Sequence, residues 1–259
     1  MLANYHMHTW RCNHATGTER EYIEQAIDHY QIIGFSDHTP QPFKNGFVDK
    51  DKMRMDQLED YVTTILKLKE EYKDQIEIHI GLEVEYYPAL FQELMDYVAK
   101  FPIEYMILGQ HWLGNRVNEP SSFAPTEDPA ILEKYVRQCI EAMHKGKFLY
   151  FAHPDVINFI GNDEVYDYWM QKLCQAANEK KVPLEINFLG IRGNRNYPNE
   201  KFWKIAGEEK CKVIFGADAH RKEDVWDPAS LEKGEELVRK YHLQKINELE
   251  VLHTSQTLK

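Results

Sequence analysis

Residues 76–85 read IEIHIGLEVE, a short β-rich run that carries Glu83 toward its end. Six more runs of this kind, at 5–9, 32–36, 105–110, 148–152, 183–188 and 212–216, bring the expected strands to seven. The stretches 19–31, 56–72, 129–145, 163–181 and 199–210 lie between them and repeat apolar residues three or four apart, the spacing of an amphipathic helix. A last helix is expected near 230–241, and Thr18-Glu19-Arg20-Glu21 has the pattern of a capping box opening the first.

An unbroken strand and helix alternation favours parallel pairing through right-handed crossovers, hence an α/β barrel or an open doubly wound sheet. The chain has 259 residues, against roughly 250 for a common α/β barrel, so a single domain over 1–259 is expected. Two irregular segments, 39–55 and 114–128, are rich in Pro, Asn and Ser and read as loops over one end, where they would shape a pocket.

The chain carries 31 Lys and Arg against 42 Asp and Glu, a net charge of -11, which disfavours a nucleic-acid backbone as partner. A small anionic substrate stays compatible with that balance if bound cations restore positive charge locally. No apolar run approaches the ~20 residues of a membrane span, and the start of the chain has no signal-peptide pattern, so a cytoplasmic protein is expected. Cys12, Cys139, Cys174 and Cys211 are scattered without a C-x-x-C pair, which suggests neither a disulfide framework nor a thiolate zinc site.

Histidines and acids collect where the apolar runs stop. His6 and His8 are two apart, so in an extended strand both imidazoles project from one face and can reach one cation. IIGFSDH delivers His38, IHIGLEVEY delivers Glu83, MILGQH delivers His111, FLYFAHPD delivers His153, and VIFGADAH delivers Asp218 and His220. Functional groups of parallel α/β folds gather at the carboxyl ends of strands, so these residues are expected to converge.

The same residues, read in order as HMH, SDH, GLE, GQH, AHPD and GADAH over nearly the whole chain, resemble the PHP (polymerase and histidinol phosphatase) family of metal-dependent phosphoesterases. The resemblance implies a distorted TIM-like barrel of seven strands, (β/α)7, and the stand-alone histidinol-phosphatase branch. It implies one metal on His6, His8, Glu83 and Asp218, a second on Glu83, His111 and His153 with Glu83 bridging, and a third on His14, His38 and His220. Two or three divalent ions are expected, and imidazole with carboxylate suits Zn, Mn or Fe. A metal-bridged hydroxide held near Glu83 and Asp218 would attack phosphorus while the metals neutralise the phosphoryl oxygens.

Phosphate recognition calls for arginine, whose planar fork pairs two oxygens at once. EINFLGIRGNRNYP offers Arg192 and Arg195 and resembles the E-I-N…R…Y-P stretch of histidinol phosphatases, where an arginine faces the substrate phosphate. Arg116, just after His111, is a third candidate. AHPDVINFIGND departs from the family: Asn158 stands where members often carry a basic residue. Asp37 and Asp155 are expected either to orient a ligand, to protonate the leaving group or to cap a helix. Trp112, Phe123 and Trp226 either line a pocket for a ring or pack; His29, His79, His144, His242 and His253 carry no assigned role. The expected activity is hydrolysis of L-histidinol phosphate, with another small phosphomonoester or a nucleotide as the runner-up substrate and a non-catalytic metal-binding module as the rival class.

Overall fold

A computed structural model describes residues 2–44 and 46–251; His253 lies outside the described residues. The strands are β1 (Ala3–Asn4), β2 (Ile32–His38), β3 (Glu77–Val84), β4 (Tyr105–Leu108), β5 (Leu184–Asn187), β6 (Lys212–Gly216) and β7 (Gln244–Lys245). The helices are α1 (Glu19–Ala26), α2 (Leu58–Glu71), α3 (Phe91–Val98), α4 (Pro129–His144), α5 (Asp163–Lys180), α6 (Phe188–Arg192), α7 (Glu200–Glu208) and α8 (Pro228–Tyr241).

Every pairing between named strands is parallel, with β1, β2, β3 and β4 in one run and β5, β6 and β7 in another. Phe151 joins the two runs by parallel bridges to Leu108 and Leu184, and Met7 bridges to Ala219 beyond β6. These bridges curl the sheet into a TIM-like ring, the distorted barrel expected from the sequence. Helices cover its outside. Alternation along the strands sends Met106, Leu108, Ile80 and Leu82 into the large apolar cluster shared with those helices. Tyr105, Ile107, Tyr150, Ala152 and Ile214 form a smaller cluster on the opposite, inner face. Glycine at 34 and 81 makes that packing fit: a Cβ at either position would lie within 2.2 Å of the Tyr105 phenol.

Several boundaries differ from the sequence reading. The run 148–152 is not a full strand but a single bridge at Phe151, and 5–9 is replaced by β1 at Ala3–Asn4 plus the bridge at Met7. The reason at the seam is Asn4, whose side-chain oxygen accepts from the backbone N–H of Ala217 (3.0 Å) and of His6 (3.2 Å), taking the place of ladder partners. The first helix ends at Ala26, short of residue 31. Its capping box forms as expected, with Thr18 N–H donating to Glu21 at 2.9 Å and Glu21 N–H donating to the Thr18 hydroxyl at 3.3 Å. Helices α3 and α6 and strand β7 are not among the elements expected from the sequence; α6 and β7, with 5 and 2 residues, are too short for periodicity to register, whereas α3 has 8 residues, as many as α1.

Candidate metal centre

The register of β2 on β3 sets His38 opposite Glu83, and paired residues of parallel strands share a face. His38 Nδ1 accordingly lies 2.8 Å from Glu83 Oε2. The same oxygen is 3.7 Å from His6 Nε2 and 3.6 Å from His8 Nε2. Glu83 Oε1 faces the other way, 2.9 Å from His153 Nε2 and 3.5 Å from His111 Nε2. One buried carboxylate thus divides its two oxygens between two groups of imidazoles. Space for it comes from Gly109, where a Cβ would fall 1.9 Å from Oε1.

Asp218 closes the first group, its Oδ1 at 3.1 Å from His8 Nε2 and 3.5 Å from His6 Nε2. Beyond it, His220 Nε2 and His14 Nε2 approach to 3.0 Å, and donor atoms of His8, His38 and His220 lie within 4.8 Å of one another. The structure therefore brings together all nine residues read as ligands: His6, His8, His14, His38, Glu83, His111, His153, Asp218 and His220. His153 and Asp218 reach the site from left-handed backbone, φ 33° and 47°, at the ends of their segments.

Electrostatics bind the set. Burial alone would lower the His6 pKa, but the carboxylates of Glu185 and Asp218 raise it to about 10. Burial would raise Glu83 and Asp218, yet the surrounding imidazoles hold both well below the usual carboxylate range. Burial, aided by the neighbouring His8 charge, outweighs Glu83 at His38 and Asp218 at His220 and pushes both rings well down. Even so, His6 Nε2, His8 Nε2, His38 Nδ1, Glu83 Oε2 and Asp218 Oδ1 are buried without a hydrogen-bond partner, although several sit at ion-pair distance. Orphaned buried polar atoms cost about 1–3 kcal/mol each. Five of them pointing at one another are a donor set that divalent cations satisfy, and imidazole with carboxylate is their ligand chemistry.

Carboxylates also hold the far nitrogens of the rings. His6 Nδ1 lies 2.7 Å from Glu185 Oε1, and His111 Nδ1 lies 3.0 Å from Glu85 Oε1. Such partners fix ring orientation and tautomer. Glu185 also accepts from His153 N–H (3.0 Å) and from Asn187 Nδ2 (2.8 Å), and Asn187 Nδ2 donates to Asp218 Oδ2 as well (3.0 Å). The sequence reading missed Glu85, Glu185 and Asn187 in these roles. A signal existed: Glu83/Glu85 and Glu185/Asn187 repeat the spacing of two seen in His6/His8.

A cavity of ≈ 660 Å³ opens over the centre, with His14, His38, Glu83, His111, Asp218 and His220 in its wall. Arg192 and Arg195 line it, as expected of phosphate contacts. Arg192 is already engaged: Nη1 donates to Ala217 O (2.7 Å) and Nη2 to Asp218 O (2.6 Å), which steadies the left-handed turn carrying Asp218. Arg195 donates to Tyr197 Oη at 2.8 Å. Arg116 is not among the lining residues; Asp49 holds it at 3.0 Å and it lies over the Trp112 ring at 3.3 Å. Lys52, which no motif marked, lines the cavity, buried against Glu85. Both irregular loops contribute, through Asp49, Asp51 and Lys52 and through Phe123.

Trp112 and Phe123 are part of the wall, whereas Trp226 is elsewhere, stacked on His29 at 4.4 Å. Asp155 does not line the cavity; it accepts from Asn199 N–H at 2.6 Å, and burial pushes its carboxyl up to about 7 against that bond. Asp155 thereby anchors Asn199, the residue whose side chain caps the start of α7.

Fold and site define a class, the α/β-barrel hydrolases that hold divalent metals at the carboxyl ends of their strands. Residues 4–188 match the PHP domain, and the chain belongs to the PHP domain family. It is 26% identical over 231 residues to a protein of Deinococcus radiodurans named as a probable histidinol-phosphatase, covering 86% of this chain and 88% of that one. It is also 26% identical over 255 residues to the histidinol-phosphatase of Bacillus subtilis, covering 85% and 94%. The crystal structure of histidinol phosphate phosphatase from Lactococcus lactis subsp. lactis, complexed with zinc, L-histidinol and phosphate, superposes with a TM-score of 0.74 at 20% identity, covering 95% of each chain. That likeness fixes the fold.

Proposed function

We propose that the chain is a metal-dependent phosphatase that hydrolyses L-histidinol phosphate to L-histidinol and phosphate, its residues 1–259 serving one barrel. The observation that carries this reading is the divided Glu83 carboxylate: Oε2 faces His6, His8 and His38 while Oε1 faces His111 and His153. His6, His8, Glu83 and Asp218 would hold one ion, Glu83, His111 and His153 a second, and His14, His38 and His220 a third. Bound divalent ions supply Lewis acidity toward phosphoryl oxygens and activate water near neutral pH.

The chain's own groups orient the reaction. Arg192 and Arg195 line the cavity and supply guanidinium groups of the kind that pair phosphate oxygens. Trp112 and Phe123 offer flat apolar walls of the kind an imidazole ring packs on, and Asp51 adds negative charge for a cationic amine. The relatives' names support the substrate. Four buried free thiols fit a reducing, cytoplasmic setting.

Steady-state hydrolysis of L-histidinol phosphate beside sugar and nucleotide phosphates, before and after chelation and metal add-back, tests the reading. A kcat/KM for histidinol phosphate well above the panel, abolished by chelation and restored by Zn, Mn or Fe, is expected. Equal sluggishness on every ester removes the substrate, and activity that survives complete metal removal removes the mechanism.

A further inference from the structure

Arg11 is buried at 2% exposure, an unusual place for a guanidinium, and it does not line the cavity. Its donors are nearly all used. Nη1 reaches the Glu19 carboxylate at the start of α1 and the Thr9 hydroxyl at 3.3 Å; Nε and Nη2 reach Asp60 Oδ2 in α2 at 3.0 and 2.7 Å; Nη2 also reaches the Thr64 hydroxyl at 3.3 Å. The Thr9 hydroxyl in turn donates to Asp37 Oδ2, and Asp37 Oδ1 stands 3.4 Å from His8 Nδ1 while accepting from His38 N–H at 2.8 Å.

The polarity of this chain is fixed by chemistry. Arginine only donates, so the Thr9 oxygen accepts from it and spends its single hydrogen on Asp37. A carboxylate bonded in that way accepts only, so the hydrogen of a neutral His8 ring belongs on Nδ1, facing it. Nε2 then presents a lone pair toward Glu83 Oε2 and Asp218 Oδ1 at 3.6 and 3.1 Å, an arrangement that a bound cation satisfies. The 3.4 Å separation at Nδ1 is longer than a good hydrogen bond and leaves that atom without a partner, with Asp37 Oδ1 the carboxylate oxygen that faces it.

We propose that Arg11 is a positioning residue for the metal centre: through Thr9 and Asp37 it sets the orientation and tautomer of His8, tying α1 and α2 to the ion held by His8, Glu83 and Asp218. The inference rests on reading that centre as a metal site, and its test separates the two. Chelator-stripped parent protein is titrated with Co(II), following the visible absorption of the bound ion and the number of ions per chain, beside Thr9→Val, Asp37→Asn, Arg11→Lys and Arg11→Met. Thr9→Val keeps the shape of the side chain and tests the relay even if Arg11→Met, which strands Glu19 and Asp60, does not fold.

Folded Thr9→Val and Asp37→Asn proteins are expected to bind Co(II) about 10–100-fold more weakly, with an altered spectrum and a kcat that falls while KM holds, and excess metal is expected to restore part of kcat. Arg11→Lys, which keeps one donor for Thr9, is expected to fall between parent and Thr9→Val. Parent-like Co(II) affinity and spectrum in folded Thr9→Val overturn the relay and leave Arg11 a structural ion pair. A stripped parent that binds no Co(II) overturns the metal reading itself.

Discussion

Buried charge at single positions decides much of this molecule's behaviour. Lys52 and Glu85 are both nearly inaccessible; burial would raise Glu85, but the Lys52 ammonium and His111 hold it down to about 2. Glu85 also accepts from the Tyr87 hydroxyl. Removing the cation leaves an uncompensated carboxylate beside a ligand of the centre. Lys52→Met is therefore expected to destabilise the fold by about 3–5 kcal/mol in urea unfolding, and the double variant Lys52→Met/Glu85→Gln to recover a large part of that loss. Equal stability of the single variant and the parent would show that the pair contributes nothing. The pair was invisible in the sequence, because Lys52 sits in an irregular loop with no spacing to connect it to β3.

Among elements, β3 and β4 carry two close constraints. Gly109, next after β4, lies against Glu83 Oε1, and a methyl group there overlaps the carboxylate at 1.9 Å. Gly109→Ala leaves helix and strand propensities alone, so the collision has to be relieved by moving Glu83. A cost of about 1–3 kcal/mol is expected, with bound metal reduced at unchanged far-UV circular dichroism. Glu104, just before β4, joins β3 and α2: it accepts from Ile80 N–H at 2.8 Å and from Lys69 at 2.6 Å. Burial would raise its carboxyl, but His79, Lys69 and that N–H outweigh it and bring it to about 2. A folded pKa below the unfolded one stabilises above the ordinary carboxylate range, and the gain fades as pH falls from about 4.5 toward 2. Glu104→Gln should thus lose roughly 2–4 kcal/mol at pH 7 and much less at pH 3, so the two melting curves converge in acid.

At the scale of the whole molecule, the proposed centre spans the two ends of the ring, and ions held there would clamp them. His6 and His8 follow β1, Asp218 and His220 follow β6, and the seam between those strands rests on one bridge and the Asn4 side chain. Ions bound across that seam favour the closed ring over the unfolded chain. With free metal about 1,000-fold above its dissociation constant the linkage is worth about 4 kcal/mol, so a chelator should lower the Tm by several degrees and metal add-back should restore it. A Tm indifferent to chelation would mean that the ligands are pre-set without the ion.

The residues themselves determined the alternation that makes a parallel α/β fold and eight of the nine converging donors, because those eight stand on or just beyond β-rich runs whose ends share one rim; the barrel and His14, which lies in the loop after the first run, followed only from the family resemblance. Short-range spacing also foretold the capping box at Thr18. Tertiary structure alone decided what lies behind and beside those donors. That Glu83 turns one oxygen to each imidazole group, that Glu185, Glu85 and Asp37 back the rings, that Arg116 is taken up by Asp49, and that Asp37 stands between Thr9 and His8 all depend on side chains from separate segments of the chain. Such contacts arise from the register and curl of the closed ring, which no local pattern encodes.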